Sequence, residues 1–161
     1  MSQLPNGPTD KEINDKLEAV ENKVIGFTLE DWVTSSGKYP DRAKSMELTQ
    51  EVKVNAGLLL ELVNQLLAEL GLDPSTLRIS SGFRPSSVNS AIPNAAKKSL
   101  HMTGLAVDIE DPDNELDKLI ASRPELLDKY GLWLEHSDST PKCTHLDKGV
   151  RTQRKIRIFH P

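Results

Sequence analysis

A single cysteine, Cys143, stands in 161 residues. One thiol cannot close an internal disulfide, so the fold must be held by its core, which suits a reducing cytoplasm. Aromatic residues are scarce, at 4%, and nowhere alternate with basic side chains. With a formal net charge of −4, that scarcity argues against nucleic acid as a partner, because such binding draws on clustered Lys and Arg. Long apolar runs are missing too. The richest apolar segment is broken by Glu61, Asn64 and Gln65, short of the about 20 residues that span a bilayer, so no stable membrane insertion is expected. Met1-Ser-Gln-Leu-Pro-Asn-Gly-Pro offers neither a basic n-region nor an apolar h-region. The chain therefore reads as made in the cytoplasm without a signal peptide. Its length suffices for one domain with a substantial core.

The apolar pattern supplies the elements. Residues 1–10 read as a flexible arm, and Ile13, Leu17, Val20 and Val24 predict an amphipathic helix over about 11–25. The expected division is an arm and helix over 1–26 and a domain over 27–161. Thr28 followed by Asp31 predicts a capped short helix around Leu29–Val33. The longest helix is expected over about 50–70, on a stripe from Val52 to Leu70, with Gly71 as its stop. Leu77–Ser81 alternates like a strand and ends in the turn formers Gly82-Phe-Arg84-Pro85; residues 86–98 read as loop and weak helix. In Leu105–Glu110, Leu105, Val107 and Ile109 share one face, and Ala106, Asp108 and Glu110 the other. Asp111-Pro112 predicts a cap for a helix carrying Leu116, Leu119 and Ile120, and Pro124 starts another that ends at Gly131. Further strands are expected over 132–135, 144–147 and 154–159. Because helices and strands do not alternate regularly, the fold class is α+β, with a small, mainly antiparallel sheet flanked by helices.

The chemistry gathers in Ser99-Leu-His101-Met-Thr-Gly104-Leu-Ala-Val-Asp108-Ile109, with Glu135 and Thr144-His145-Leu146-Asp147 downstream. Catalytic zinc sites take three protein ligands and keep a fourth position open. His101 and Asp108 can meet one ion if the chain turns at Gly104, and His145 would join them through tertiary structure. Glu135 is the candidate general base, taking a proton from the attacking water and passing it to the leaving amine. Arg84 would present a fixed cationic fork to a substrate carboxylate or a developing oxyanion. Ser99 would bond substrate or orient His101, and Asp147 would support a ligand from behind.

Ser81-Gly-Phe-Arg84-Pro85, Val88-Asn89, and Ser99-x-His101-x-x-Gly104-x-Ala106-x-Asp108-Ile109 resemble the zinc D-Ala-D-Ala carboxypeptidase family, which shares the hedgehog/DD-peptidase fold. Gly131-Leu-Trp-Leu-Glu135, Thr144-His145-Leu146 and Arg157-Ile158-Phe159-His160-Pro161 resemble its small phage-encoded, endolysin-like branch. The resemblance spans about residues 27–161. It implies zinc held by His101, Asp108 and His145, with Glu135 as catalytic carboxylate and Arg84 as substrate-binding arginine. The implied substrate is the peptidoglycan stem peptide, cleaved by a D,D-carboxypeptidase or endopeptidase that reaches the wall through host lysis or aboard a virion. Two positions depart from the family. Lys142 stands where many members carry an acidic residue, which leaves Glu135 as the base, and Cys143 stands where many carry Trp.

Other residues have plainer readings. A Cys143 thiolate ligand would fill the position needed by water. His136 is expected to point away from Glu135 by strand alternation, though it is an alternative acid or base, and His160 is read as unrelated to the metal. Trp32 and Trp133 are read as packing residues, and Tyr39 as packing with the alternative of lining a cleft. Glu110-Asp111-x-Asp113 lacks calcium-loop spacing. Arg151, Arg154, Lys155 and Arg157 read as a solvated basic strand face. The competing reading, from another class, is a zinc-binding structural or interaction domain without turnover. The sequence does not fix an oligomeric state.

Overall fold

Thr28 and Asp31 cap each other at the start of α1 (Leu29–Thr34). Thr28 Oγ1 accepts from the Asp31 amide at 3.2 Å, and Asp31 Oδ2 accepts from the Thr28 amide at 2.8 Å. Such a reciprocal cap satisfies amides that the helix cannot. The structure, a computed structural model, describes residues 26–35, 38–152 and 155–161, with Thr9, Lys11, Glu12 and Asp15. Ile13, Leu17, Val20 and Val24 of the expected N-terminal helix, and Arg154 of the expected basic face, lie outside the described residues.

The stripe read as one long helix forms α2 (Gln50–Glu69), capped by Thr49 and followed by Gly71 at φ +75°. Val52, Ala56, Leu59, Leu60, Val63, Leu66 and Leu67 are buried along it. Each buried Leu or Val there contributes about 1.5–3 kcal/mol of transfer free energy, so α2 anchors the core. Its one buried amide side chain, Asn64, ties down the chain entering α1: Oδ1 accepts from the Phe27 amide at 2.8 Å and Nδ2 donates to the Phe27 carbonyl at 3.0 Å.

Five short strands form one sheet: β1 (Ile79–Ser81), β2 (Ala106–Glu110), β3 (Trp133–Glu135), β4 (Cys143–Asp147) and β5 (Ile158–Phe159). The order is β1-β2-β4-β3-β5, and every pair is antiparallel except the parallel β3–β5. The α+β expectation, with a small and mainly antiparallel sheet, therefore holds. Val107, Ile109 and Leu146 join the core around α2, which leaves Asp108 on the opposite face of β2. The three remaining described α-helices are α3 (Ser86–Ala91), α4 (Glu115–Ala121) and α5 (Pro124–Tyr130).

Asp111 caps α4 from further upstream than expected. Asn114 is the residue flanking the helix and bonds nothing there with its side chain. Asp111 instead reaches in, accepting from the Leu116 and Asp117 amides at 3.1 and 2.9 Å and from Thr144 Oγ1 at 2.9 Å. Those three donors account for Asp111 as a helix cap, the plain reading of its place in the acidic run.

Candidate metal centre

Ser99 begins the site. Its Oγ accepts from the His101 amide at 3.3 Å and opens a single 3-10 turn, Leu100–Met102, that carries His101. The chain then reverses at Gly104, whose φ is +81°. The next strand delivers Asp108, which lies directly opposite His145 in the β2–β4 register. Trp133 pairs with Asp147 and Leu134 with Leu146, and continuing that register sets Glu135 beside His145. A bulge in β1 moves the register from Ile79↔Ile109 to Ser81↔Asp108, which brings the Ser81–Arg84 turn against the same carboxylate.

One ligand-type atom from each of His101, Asp108 and His145 lies within 4.8 Å of the others, the one such group among the described residues. His101 is 2% exposed, and its Nδ1 is 2.8 Å from the Gly82 carbonyl oxygen. A carbonyl only accepts, so Nδ1 carries the proton. Burial lowers the His101 pKa despite the Asp108 charge beside it, which leaves Nε2 as a bare lone pair at neutral pH. That atom is buried without a hydrogen-bond partner, 3.3 Å from Asp108 Oδ2. Two acceptors facing each other at that distance call for a cation between them, and two imidazoles with one carboxylate suit zinc. The residues present fit the metal.

His145 is held from both sides, with Nδ1 2.6 Å from Asp108 Oδ1 and Nε2 3.0 Å from Asp147 Oδ2. Burial alone would lower its pKa, but the two carboxylates outweigh burial and push it up to about 10. Burial would likewise raise Asp108, yet His101, once acid protonates it, and His145 hold its carboxyl well below the usual range. Asp147, wholly buried, also stays ionised against desolvation, through His145 and Arg151. Glu135 shifts the other way. Its burial raises the pKa and the Asp108 and Asp147 charges add to the rise, against the opposing pull of His145. Its Oε2 lies 3.9 Å from His145 Nε2. Arg84 donates from Nη2 to Asp108 Oδ2 and from Nε to Ser81 Oγ, both at 2.8 Å. Arg84, Ser99, His101, Asp108, Glu135 and His145 all line one cleft of about 590 Å³.

The peptidase M15 family matches residues 36–147, a span that contains all six of these side chains. The chain belongs to the peptidase M15 family. That membership supports a zinc-dependent metallopeptidase, and the His101–Asp108–His145 group supplies a site that can hold the metal. No curated protein and no solved structure matches the chain.

In this M15 chain the remaining candidates separate cleanly. Cys143 faces Ser80 Oγ at 3.4 Å and stands outside the ligand group. His136 stacks on His160, ring centroids 4.4 Å apart, and neither lines the cleft. Trp32 is wholly buried and donates from Nε1 to the Ala106 carbonyl at 2.9 Å. Trp133 is buried as well, whereas Tyr39 lines a separate hollow near Pro85 and Val88. The solvated basic face is corrected at Arg151. That guanidinium turns inward, with Nη1 2.6 Å from Asp147 Oδ1 and Nη2 2.9 Å from Asp147 Oδ2. A charge run reads as solvated in sequence because the aromatic side chains that cover it, Trp133 and Phe159, lie on β3 and β5. A second missed residue is Arg42, 4% exposed, whose Nη1 donates to the Phe83 carbonyl at 3.0 Å. It braces the turn that presents the Gly82 carbonyl to His101.

Proposed function

We propose that this M15 peptidase hydrolyses peptide bonds in bacterial peptidoglycan stem peptides, as a D,D-carboxypeptidase or endopeptidase. The observation that carries the reading is the convergence of a bare His101 Nε2, Asp108 and His145 on one point of a cleft also lined by Glu135 and Arg84. Zinc, when bound, supplies a Lewis acid that polarises a carbonyl and acidifies water. His101, Asp108 and His145 would hold it. Glu135 takes a proton from the attacking water at its carboxylate and returns it to the leaving amine; its raised pKa makes the carboxylate a stronger base for the first of these steps. Arg84, fixed by Ser81 and Asp108, presents its remaining donors to a substrate carboxylate or to the developing oxyanion. Ser99 orients His101 through its amide and lines the substrate side of the cleft.

The stem-peptide substrate, and a role as a phage endolysin or virion-borne wall hydrolase, are supported by the ordered motifs from Ser81 to Pro161. The helix expected over about 11–25 would then serve as an attachment element. One observation favours the second reading, a non-catalytic zinc-binding domain: Arg84 already bonds a metal ligand and so has a structural use. Digestion of purified peptidoglycan with mass spectrometry of the products separates the two. Zinc-dependent release that disappears in His101→Ala and in Glu135→Ala supports the peptidase, and the product masses name the bond. Bound zinc without cleavage of any muropeptide overturns it in favour of the structural domain.

A further inference from the structure

Arg151 occupies an unusual position for a cation. Its side chain is 20% exposed, and its guanidinium carbon sits 3.5 Å from the Phe159 ring centroid and 5.3 Å from that of Trp133. Both Nη atoms bond Asp147, which also accepts from the Gly149 amide at 2.8 Å. Asp147 Oδ2 then meets His145 Nε2. Aromatic faces attract a desolvated guanidinium, and the planar fork matches a carboxylate in two bonds at once.

We propose that Arg151 is a positioning residue for the metal centre. It fixes the Asp147 carboxylate, which in turn holds His145 with Nε2 protonated and Nδ1 presented towards Asp108 and the metal.

An ionised carboxylate only accepts hydrogen bonds, so the nitrogen facing Asp147 must be the one that keeps its proton. A wholly buried carboxylate without a cation would be costly to ionise, and Arg151 supplies that cation without taking a metal-ligand position. The aromatic seat matters equally. Phe159 lies on β5, which pairs in parallel with β3 through Glu135↔Phe159. The last strand thus becomes part of the metal site while giving it no ligand. Residues that orient a ligating histidine from behind change metal affinity about 10- to 100-fold when removed.

The inference rests on the zinc-peptidase reading, so the experiment must separate their failures. Zinc dissociation constants are measured by chelator competition on the full chain, for wild type, Arg151→Met, Arg151→Lys and Phe159→Leu. Two-bond ¹H–¹⁵N spectra of the zinc-loaded proteins report which His145 nitrogen is protonated. Wild type should show the Nε2-protonated form. Arg151→Met should weaken zinc about 10- to 100-fold and mix the two tautomers, and Arg151→Lys should recover part of the loss. Phe159→Leu keeps every polar partner and should weaken zinc less. It decides the matter if Arg151→Met fails to fold. Wild-type affinity together with a single Nε2 tautomer in the variants overturns the inference. A raised KM at unchanged zinc affinity also overturns it, and makes Arg151 a substrate contact instead. Wild type that binds no zinc overturns the peptidase reading itself.

Discussion

Replacing Gly104 by alanine tests whether the turn joining His101 to Asp108 is pinned against α2. An added Cβ would lie 2.3 Å from the Val52 carbonyl oxygen, 3.0 Å from the Ala56 amide nitrogen and 3.1 Å from Asn55 Cβ. The left-handed backbone, φ +81°, costs a residue with a side chain about 1–2 kcal/mol. The overlap is with helix backbone, which cannot swing aside as a side-chain end can, so relieving it adds about 1–3 kcal/mol. Reduced freedom of the unfolded chain offsets about 0.4–1 kcal/mol. The net loss is about 3 kcal/mol, within the about 5–15 kcal/mol available to a domain, so the variant should fold. The Asn55 Nδ2 bond to the Thr103 carbonyl, 3.0 Å, should break as the turn lifts, and His101 should move relative to Asp108. Urea unfolding of the metal-free protein reads the stability, and chelator competition reads the weakened zinc. Gly57→Ala is the matched control. That glycine is exposed in mid-α2 with nothing within 4 Å of its added Cβ, so alanine there should gain about 0.5–1 kcal/mol. Shifts of the same sign at the two glycines would refute the reasoning.

Glu135→Gln should lower kcat about 10²- to 10⁴-fold and leave zinc affinity unchanged, since Glu135 is outside the ligand group; turnover assays and chelator competition together check both halves. Asp117 is buried, its Oδ2 has no partner, and burial followed by the Asp111 charge raises its pKa. An aspartate raised in the folded state burdens folding only once ionised, so stability is lost as pH rises from the unfolded value through the folded one. Asp117→Asn should therefore raise the urea midpoint at pH 7, by about 1 kcal/mol, with no gain below the unfolded pKa of about 3.9; equal gains at both pH values would contradict this. Zinc in 100-fold excess over its Kd should add about 2.7 kcal/mol, or about 5–10 °C in Tm for a chain of this size. A chelator should reverse the shift, and His101→Ala should abolish it in calorimetry.

The legible parts of this protein are those whose partners are close in sequence. The α2 stripe, the Thr28–Asp31 cap and the alternation that turns Asp108 away from Val107 and Ile109 all emerge from local periodicity. His101 and Asp108 fall seven residues apart around a glycine that the structure places against α2, so their meeting could be read from one segment. His145 reads as a candidate that only tertiary structure can deliver, and the β2–β4 register brings it to Asp108. Arg151 was misread for the same reason in stronger form. Its carboxylate is four residues away, but the reason that this pair is buried lies in Phe159 and Trp133 on two other strands. Asp111 reads as a cap in sequence and does cap, yet it reaches past Asn114 to do so, a detour that spacing rules for the flanking residue do not anticipate. The short helix α3 (Ser86–Ala91) had only a weak signal because six residues rich in Ser carry little helix propensity.

The candidate ligands of this site are held in place by protein groups. Gly82 fixes the His101 ring, Arg84 and His145 bond Asp108, and Asp147 anchors His145 from the far side. The core around α2 lies on the other face of the sheet and is built from apolar side chains that owe nothing to zinc. A zinc finger folds only as its metal binds. Here the buried apolar surface is sufficient for a domain of this length, and the ligand-type atoms already stand within 4.8 Å. Folding and loading should therefore be separable, seen as cooperative urea unfolding of the chelator-treated protein. Within the ligand-type group, the bare His101 Nε2 stands 3.3 Å from Asp108 Oδ2 without a hydrogen-bond partner. A cation at that point would relieve the contact. The tautomer that Gly82 imposes on His101 thus leaves Nε2 as the atom that can take a cation.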